Sequence, residues 1–363
     1  MKNKKIVLGL MSGTSCDGLT ICAVLPSPFK ILCFKNYPYT PSLQKRLLKA
    51  PESTVPELSA LHFELGKLYT QKTLLFLKQT KLKKENILAV GMHGQTVYHG
   101  PNDIVPNTLQ IAEPSFLAEA LQCPIVSNFR ERDIALGGEG APLIPFFDEY
   151  LFGKGSAKIL LNLGGISNIS LVGKGIKTIG FDCGPANTLM DLACEKFLGI
   201  PFDKNGSLAA QGVPDKELVK RLLKQKYFSQ KPPKSLDKNK FGKKYLEKYF
   251  SSYSSENIKD LLATLNFFTA ACITDAIKRF VPKRHQKEII VSGGGAYNQT
   301  LLSHLKKLTA LPVNTSAQKG IDPQAKEAAA FAVMAWLALA GKKNHCPQAT
   351  GAKRTTILGK ITL

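Results

Sequence analysis

One arrangement recurs in this 363-residue chain: strand, glycine turn, strand, strand. Apolar runs at Ile6–Met11, Leu19–Leu25 and Ile31–Tyr37 surround "SGTSCDG" at 12–18. Runs at Lys158–Leu163, Ile166–Val172 and Lys177–Phe181 surround the glycine pair at 164–165. Each run has strand length and is bounded by turn residues. Helical periodicity follows each meander. Leu61, Leu65, Leu68, Leu75 and Leu77 give segment 57–79 an apolar side, and further helices fit 185–197, 215–223 and 258–280, the last capped by Ser255 or Asn257. Strands are also expected at Ile87–Met92, Thr108–Ala112, Pro124–Phe129 and Glu288–Val291, with helices at Pro114–Leu121 and about 322–340. Two meanders, each followed by helices, predict two related α/β domains with a cleft between them. The Gly- and Pro-rich stretch from Leu136 reads as linker-like, and 230–241 as loop. The expected division is 1–130 plus about 341–363 for domain I and 131–340 for domain II.

Composition narrows the function classes. At 44% apolar and 21% charged residues, the chain resembles ordinary globular proteins. Its apolar stretches read as interrupted before membrane-span length. The basic start at Met1–Lys5 is followed by an apolar run too short for a signal peptide, and no cleavage site closes it, so a cytoplasmic protein is expected. Eight single cysteines lack any C-x-x-C pair, and the six histidines lack H-E-x-x-H, which argues against zinc and disulfide frameworks. A net charge of +22 invites a nucleic-acid reading. However, the densest lysine run, 216–248, is interspersed with acids and carries no nucleic-acid motif.

Three strand-end turns carry glycine: "MSGTSCDG" at 11–18, "NLGGISN" at 162–168 and "VSGGGAYN" at 291–298. Glycine permits positive φ and close approach of a ligand to the backbone, and consecutive N–H groups cup anionic oxygens. Ser12, Thr14 and Ser15 add hydroxyls, and Asp17 suits a magnesium shell. Singly, each turn is more commonly a plain hairpin. None matches the Walker or dinucleotide fingerprint. As a set they fit a nucleotide held by both domains. Asp182 follows a strand directly and precedes "CGPANTLMD". It reads as a general base, a metal contact or a cap for the next helix, with Asn187 and Asp191 supporting the turn. Arg130 suits a substrate carboxylate or a surface pair with Asp133. His93, Gln95, Thr96 and His99 together resemble a sugar-binding edge. Glu327, an acid on an apolar helix, either faces the cleft or lies on the polar side. Glu113 and Glu139 stay undecided.

In order along the chain, "GLMSGTSCDGL", "HGQTVYH", "FRERDIALGGEGAPLIP", "NLGGISNI", "FDCGPANTLMD", "GGGAYN", "AKEAAAFA" and "TGA" resemble the motifs of the anhydro-N-acetylmuramic acid kinase family, from about Lys5 to Gly359. The resemblance implies an α/β, two-domain actin-like ATPase (ribonuclease H-like) fold of the sugar kinase and heat-shock chaperone superfamily, with a nucleotide cleft between its domains. It implies ATP and Mg²⁺ as cofactors and 1,6-anhydro-N-acetylmuramic acid as substrate. The reaction opens the anhydro ring with water and phosphorylates the 6-oxygen, giving N-acetylmuramic acid 6-phosphate and ADP in cell-wall recycling. By resemblance Asp182 is the base. Ser12, Gly13, Thr14, Ser15, Cys16, Asp17, Gly18 and Leu19, with Gly164, Gly165, Asn168, Gly293, Gly294 and Gly295, hold ATP, and Asp17 also meets the metal. Thr96, Arg130 and Glu327 line the sugar site. Expected partners are the sugar and ATP, without nucleic acid or membrane, and a homodimer is left open. Two alternatives are a kinase or ATPase of the same fold with another sugar, and a basic nucleic-acid-binding protein.

Departures from the family pattern are Cys183 and Ala186 in place of Thr and Gly, Glu139 within 138–140, Asn128 before Phe129-Arg130, and "PPKSLDKNK" at 232–240 in place of "PPKSTGRE". The change at 186 predicts a tighter turn after Asp182.

Overall fold

The computed structural model describes residues 6–232, 234–236 and 238–363. Parts of the 230–241 stretch therefore lie outside the described residues. The chain forms two compact units, Met1–Phe147 with Ala325–Leu363, and Asp148–Gln324.

In the first unit the main sheet runs Lys360–Thr362, Ile125–Ser127, Ile87–Met92, Ile6–Ser12, Gly18–Pro26, Phe29–Pro38. In the second it runs Ile179–Pro185, Ile166–Val172, Lys158–Leu163, Ile289–Ser292, Val313–Thr315. Within each unit the first three strands form an antiparallel meander. The next two join parallel to the first. Numbered along each sheet, the second has the order 3-2-1-4-5 and the first repeats it with Lys360–Thr362 added antiparallel at the edge, 3-2-1-4-5-6; the shared part is the ribonuclease H-like order of actin-like ATPases. The fold is thus the α/β one expected, built twice.

Backbone contact explains the first unit's core. Gly9 and Gly91 are paired across neighbouring parallel strands. A Cβ on Gly9 would lie 1.7 Å from the Ala328 carbonyl oxygen, and one on Gly91 would lie 2.0 Å from that of Phe331. The helix Lys326–Leu339 therefore rests on bare backbone, and its small residues Ala328, Ala332 and Ala335 are fully buried. This docking sets the unit boundary. The helix groups with the first unit, whereas the sequence reading puts 131–340 in domain II; its close approach to Gly9 and Gly91 ties it there. Segment 131–147 joins the same unit, where Leu143 packs with Phe129, Phe331 and Leu358. The opposite face buries Leu8, Leu10, Ile21, Leu65, Tyr69 and Phe76, the last three from the helix Val55–Thr80.

The second unit is organised by the helix Ile258–Phe280, whose side chains enter two buried clusters. It is long and apolar enough to cross a membrane, contrary to the reading that every apolar stretch is interrupted, but 78% of its most apolar window is buried within the protein. A helix, Ile144–Phe152, begins where the Gly- and Pro-rich stretch from Leu136 ends. Helices at Pro41–Lys49 and Gln299–Thr309 and the strand Val313–Thr315 also went unread. These segments are short or mixed in polarity, so periodicity gives them little signal.

Candidate active site

In the first unit the 12–18 turn joins two paired strands and is, locally, a hairpin. The main chain closes through Cys16 N–H donating to Gly13 O at 3.1 Å. The left-handed position is taken by Cys16 (φ 53), while Gly13 and Gly18 do not need positive φ. Gly18 is required for another reason: its Cβ would meet the Tyr37 carbonyl oxygen at 2.6 Å, on the neighbouring strand. Ser12 is buried. Its hydroxyl donates toward Gln95 Oε1 at 2.6 Å and Gly18 O at 3.1 Å, and accepts from Tyr39 at 2.9 Å. Gln95 Nε2 donates to Gly13 O at 3.1 Å. Burial pushes the Tyr39 hydroxyl up to about 12, which keeps it a neutral donor. Ser12 is thus a strut under the turn, its hydroxyl shared among Gln95, Gly18 and Tyr39. Thr14, Ser15 and Asp17 are exposed, and Leu19 belongs to the core.

Arg130 follows the strand Ile125–Ser127. Its Nε donates to His93 Nε2 at 3.0 Å and its Nη1 to the Gly140 carbonyl at 2.8 Å. His93 Nδ1 in turn donates to Gly94 O at 3.0 Å, which fixes the neutral tautomer. Burial, reinforced by the Arg130 charge, lowers His93 to about 3. Burial lowers Arg130 to about 10, against the pull of Glu327 and Asp133, so it stays a cation at neutral pH. Burial also raises Glu327, opposed by Lys326 and Arg130. Glu327, at the start of the helix that docks on Gly9, is thus within electrostatic range of Arg130. Thr96, on the strand Gln95–Gly100, has a buried Oγ1 with no hydrogen-bond partner among the described residues.

Asp133 forms no surface pair with Arg130. It is fully buried and accepts from Gly140 N–H and Thr350 Oγ1, each at 2.6 Å, and from His345. Burial pushes its carboxyl up, but these bonds outweigh that and hold it below the ordinary range. A Cβ on Gly138 would sit 2.3 Å from the Asp133 carboxylate, so the "GGEG" loop wraps this side chain. The chain terminus thereby fixes the loop whose carbonyl orients Arg130. Glu113 pairs instead with His62 at 3.0 Å. Glu139 meets the terminal segment through its N–H, 2.8 Å from Thr350 O.

In the second unit Asp182 lies inside the strand Ile179–Pro185, not after it. It is not a helix cap. The following helix, Thr188–Leu198, has Asn187 at its N-cap position. The pairing register shifts between Asp182 and Gly184, a bulge that re-aims the side chain. The displaced Cys183 is buried, and Ala186 fits its buried place without positive φ, so the predicted tightening needs no strain. The register sets Ser292 beside Asn162, Asn162 opposite Asn168, and Asn168 opposite Asp182. Directly opposed residues share a face, so these four form one polar row across the sheet. Asn168, assigned to ATP from sequence, is a direct neighbour of Asp182. Asn162, one residue before the end of its strand, joins this row by register alone. Burial raises Asp191 to about 7.

The glycines of this unit interlock. Gly164 O accepts from Asn187 N–H at 3.0 Å and Gly165 O from Ala186 N–H at 2.9 Å. Gly293 has φ 80, and its Cβ would lie 2.7 Å from both Asn162 Oδ1 and Leu163 O. A Cβ on Gly295 would meet Leu163 Cβ at 2.6 Å, and one on Gly165 would meet Thr188 Oγ1 at 2.6 Å. Gly294 is exposed, with nothing nearer than 3.6 Å to its Cβ position. Among the described residues no three His, Cys, Asp or Glu side chains cluster for a metal.

Comparison with known proteins gives this arrangement a family. The family model described as "Anhydro-N-acetylmuramic acid kinase" matches residues 5–363. The kinase of that name from Caldanaerobacter subterraneus subsp. tengcongensis is 36% identical over 100% of this chain and 98% of its own length. The one from Shewanella loihica is 37% identical over 99% of both chains. Among solved structures, component A of the (R)-2-hydroxyglutaryl-CoA dehydratase of Acidaminococcus fermentans aligns with a TM-score of 0.47 at 12% identity, over 93% of this chain and 99% of that one. With a family model spanning nearly every residue and relatives above 35% identity along their whole length, the chain belongs to the anhydro-N-acetylmuramic acid kinase family.

Proposed function

We propose that this kinase opens the 1,6-anhydro ring of anhydro-N-acetylmuramic acid with water and transfers the γ-phosphoryl group of ATP to the freed 6-oxygen. Family membership makes it an ATP-using kinase of cell-wall recycling. The ring opening and the residue roles are our reading. One observation carries it: Asp182 stands at a bulge, at the end of a polar row, with its carboxylate oriented by the Leu236 N–H at 2.8 Å. A carboxylate so fixed serves as a general base. It accepts a proton from the water whose oxygen bonds to the anomeric carbon. The bond from that carbon to the 6-oxygen breaks, and the 6-oxygen attacks the γ-phosphorus as the bridge to ADP leaves. Positioning and charge do the rest.

Arg130, held by His93 and Gly140, presents its remaining donors to the lactyl carboxylate of the sugar. Thr96 Oγ1, buried and unpartnered among the described residues, has bonding capacity for a sugar hydroxyl. Glu327 accepts from another. The residues we assign to ATP are the exposed Thr14 and Ser15 with the main chain of Gly13, Cys16 and Gly18 in the first unit, and Gly164, Gly165 and Gly293–Gly295 in the second. The exposure of Gly165 and Gly294, which leaves their main chain at the surface, supports this. Ser12, Leu19 and Asn168 act from beneath. Asp17 suits Mg²⁺, which is bound through one or two carboxylates, phosphates and water; when bound, the ion neutralises phosphate charge. We place the reaction in the cytoplasm, with neither nucleic acid nor membrane as partner. The test is the product of purified protein, ATP and anhydro sugar. Its mass must rise by one phosphoryl group and one water. Equal ATP consumption without sugar would defeat the reading.

A further inference from the structure

We propose that residues 234–236 form a strap that sets the Asp182 carboxylate, and that Lys234 and Tyr227 are positioning residues for the reaction; this rests on Asp182 being the base. The strand Ile179–Pro185 is the edge of its sheet, and an edge leaves main-chain groups unpaired unless something covers it. The strap covers it at one residue. Asp182 N–H donates to Lys234 O at 3.0 Å, and Leu236 N–H donates to Asp182 Oδ2 at 2.8 Å. Tyr227 adds a third anchor, its hydroxyl donating to the Asp182 carbonyl at 2.7 Å. Both peptide groups of Asp182 and its carboxylate are therefore tied, at the position where the bulge has broken regular pairing.

Lys234 pins the strap. Its Nζ lies 4.6 Å from the ring centre of Tyr227, 4.8 Å from that of Phe280 and 5.9 Å from that of Phe181, and donates to Tyr227 O at 3.3 Å. A cation among three ring faces is held by their quadrupoles. Phe181 immediately precedes Asp182, and Tyr227 bonds to it, so the cage that grips Lys234 is built from the base's own neighbours. Burial keeps the Tyr227 phenol neutral and donating by raising it far above its ordinary range. Burial also pulls the Lys234 ammonium below the usual lysine range. Within the strap Lys234 and Ser235 keep the family's "PPKS", and the departure from the family's pattern begins at Leu236, whose contribution is its main-chain N–H.

Two variants probe it, Tyr227→Phe, which removes one hydrogen bond and keeps the ring, and Lys234→Met, which keeps volume and removes charge. Because small displacements of a reacting group cost up to about a hundredfold, each should lower kcat about tenfold, with KM for ATP and sugar within about twofold. Lys234→Arg should restore most of kcat, since a guanidinium also stacks on rings. Lys234→Met added to Asp182→Asn should cost nothing further. Normal kcat in both single variants, a loss confined to KM, or full additivity with Asp182→Asn would overturn the strap. If Lys234→Met fails to fold, Tyr227→Phe decides alone. An inactive Asp182→Asn beside normal strap variants defeats only the strap, whereas an active Asp182→Asn defeats the base reading and the strap with it.

Discussion

The two glycine-turn regions occupy equivalent places in the same strand order, yet they are kept open by different means. In the first unit the turn at 12–18 stands on side chains: Ser12, Gln95 and Tyr39 bond beneath it, and its left-handed residue is a cysteine. In the second unit the turns at 163–168 and 291–298 are held by main-chain bonds from Ala186 and Asn187 and by close packing, with Gly165, Gly293 and Gly295 at distances from their neighbours that no Cβ tolerates. One topology thus admits two ways of building a strand-end turn, and a count of glycines does not distinguish them.

The largest test concerns the second unit. Asp182→Asn should lower kcat by about a thousandfold, the scale of a lost general base, with ADP binding by calorimetry unchanged. Retained turnover would remove the second unit's claim to the chemistry. Next, Gly293→Ala should destabilise by about 3 kcal/mol, combining a positive φ with a backbone clash, as read by urea unfolding. The first unit should then reveal itself by pH. His93 titrates near 3 in the fold and near 6.5 unfolded. Its lowered value means the unfolded chain binds more protons, so stability is complete above pH 6.5 and is lost as pH falls toward 3. The loss should reach about 2 kcal/mol by pH 5, and His93→Gln should flatten that slope. Arg130→Lys should reduce kcat/KM for the sugar about tenfold, because lysine cannot bond His93, Gly140 and a carboxylate as one plane. The smallest effect is the sharpest contrast. Gly13→Ala should shift stability by less than about 0.5 kcal/mol, since its Cβ would meet only Ser15 Oγ at 3.5 Å. Equal costs at Gly13 and Gly293 would erase the distinction between the turns.

Much of this was legible in the residues. The strands and the long helices were, because they repeat with periods of two and 3.6 over enough positions to stand above noise. The helix 258–280 was read with its true limits. Asp182, Arg130 and the three glycine turns stood out as polar or flexible residues at the ends of apolar runs. What was not legible depends on partners far along the chain. Asp133 looked like half of a surface pair, and only its burial against His345 and Thr350, more than two hundred residues away, makes it the support of the 138–140 loop. Ser12 looked like a phosphate donor, and only Gln95 and Tyr39 make it a strut. Asn168 looked like a turn residue, and only the register sets it opposite Asp182.

The sequence by itself determined the family, the two meanders and the residue types available for phosphoryl transfer, since motif and period are properties of neighbouring positions. The tertiary structure decided which glycines are obligatory, where the units divide and what holds Asp182. Each of those depends on close approach between segments distant in sequence: a helix on Gly9 and Gly91, a leucine carbonyl under Gly293, a lysine strap beside an edge strand. Such contacts are short-ranged and leave no periodic trace along the chain.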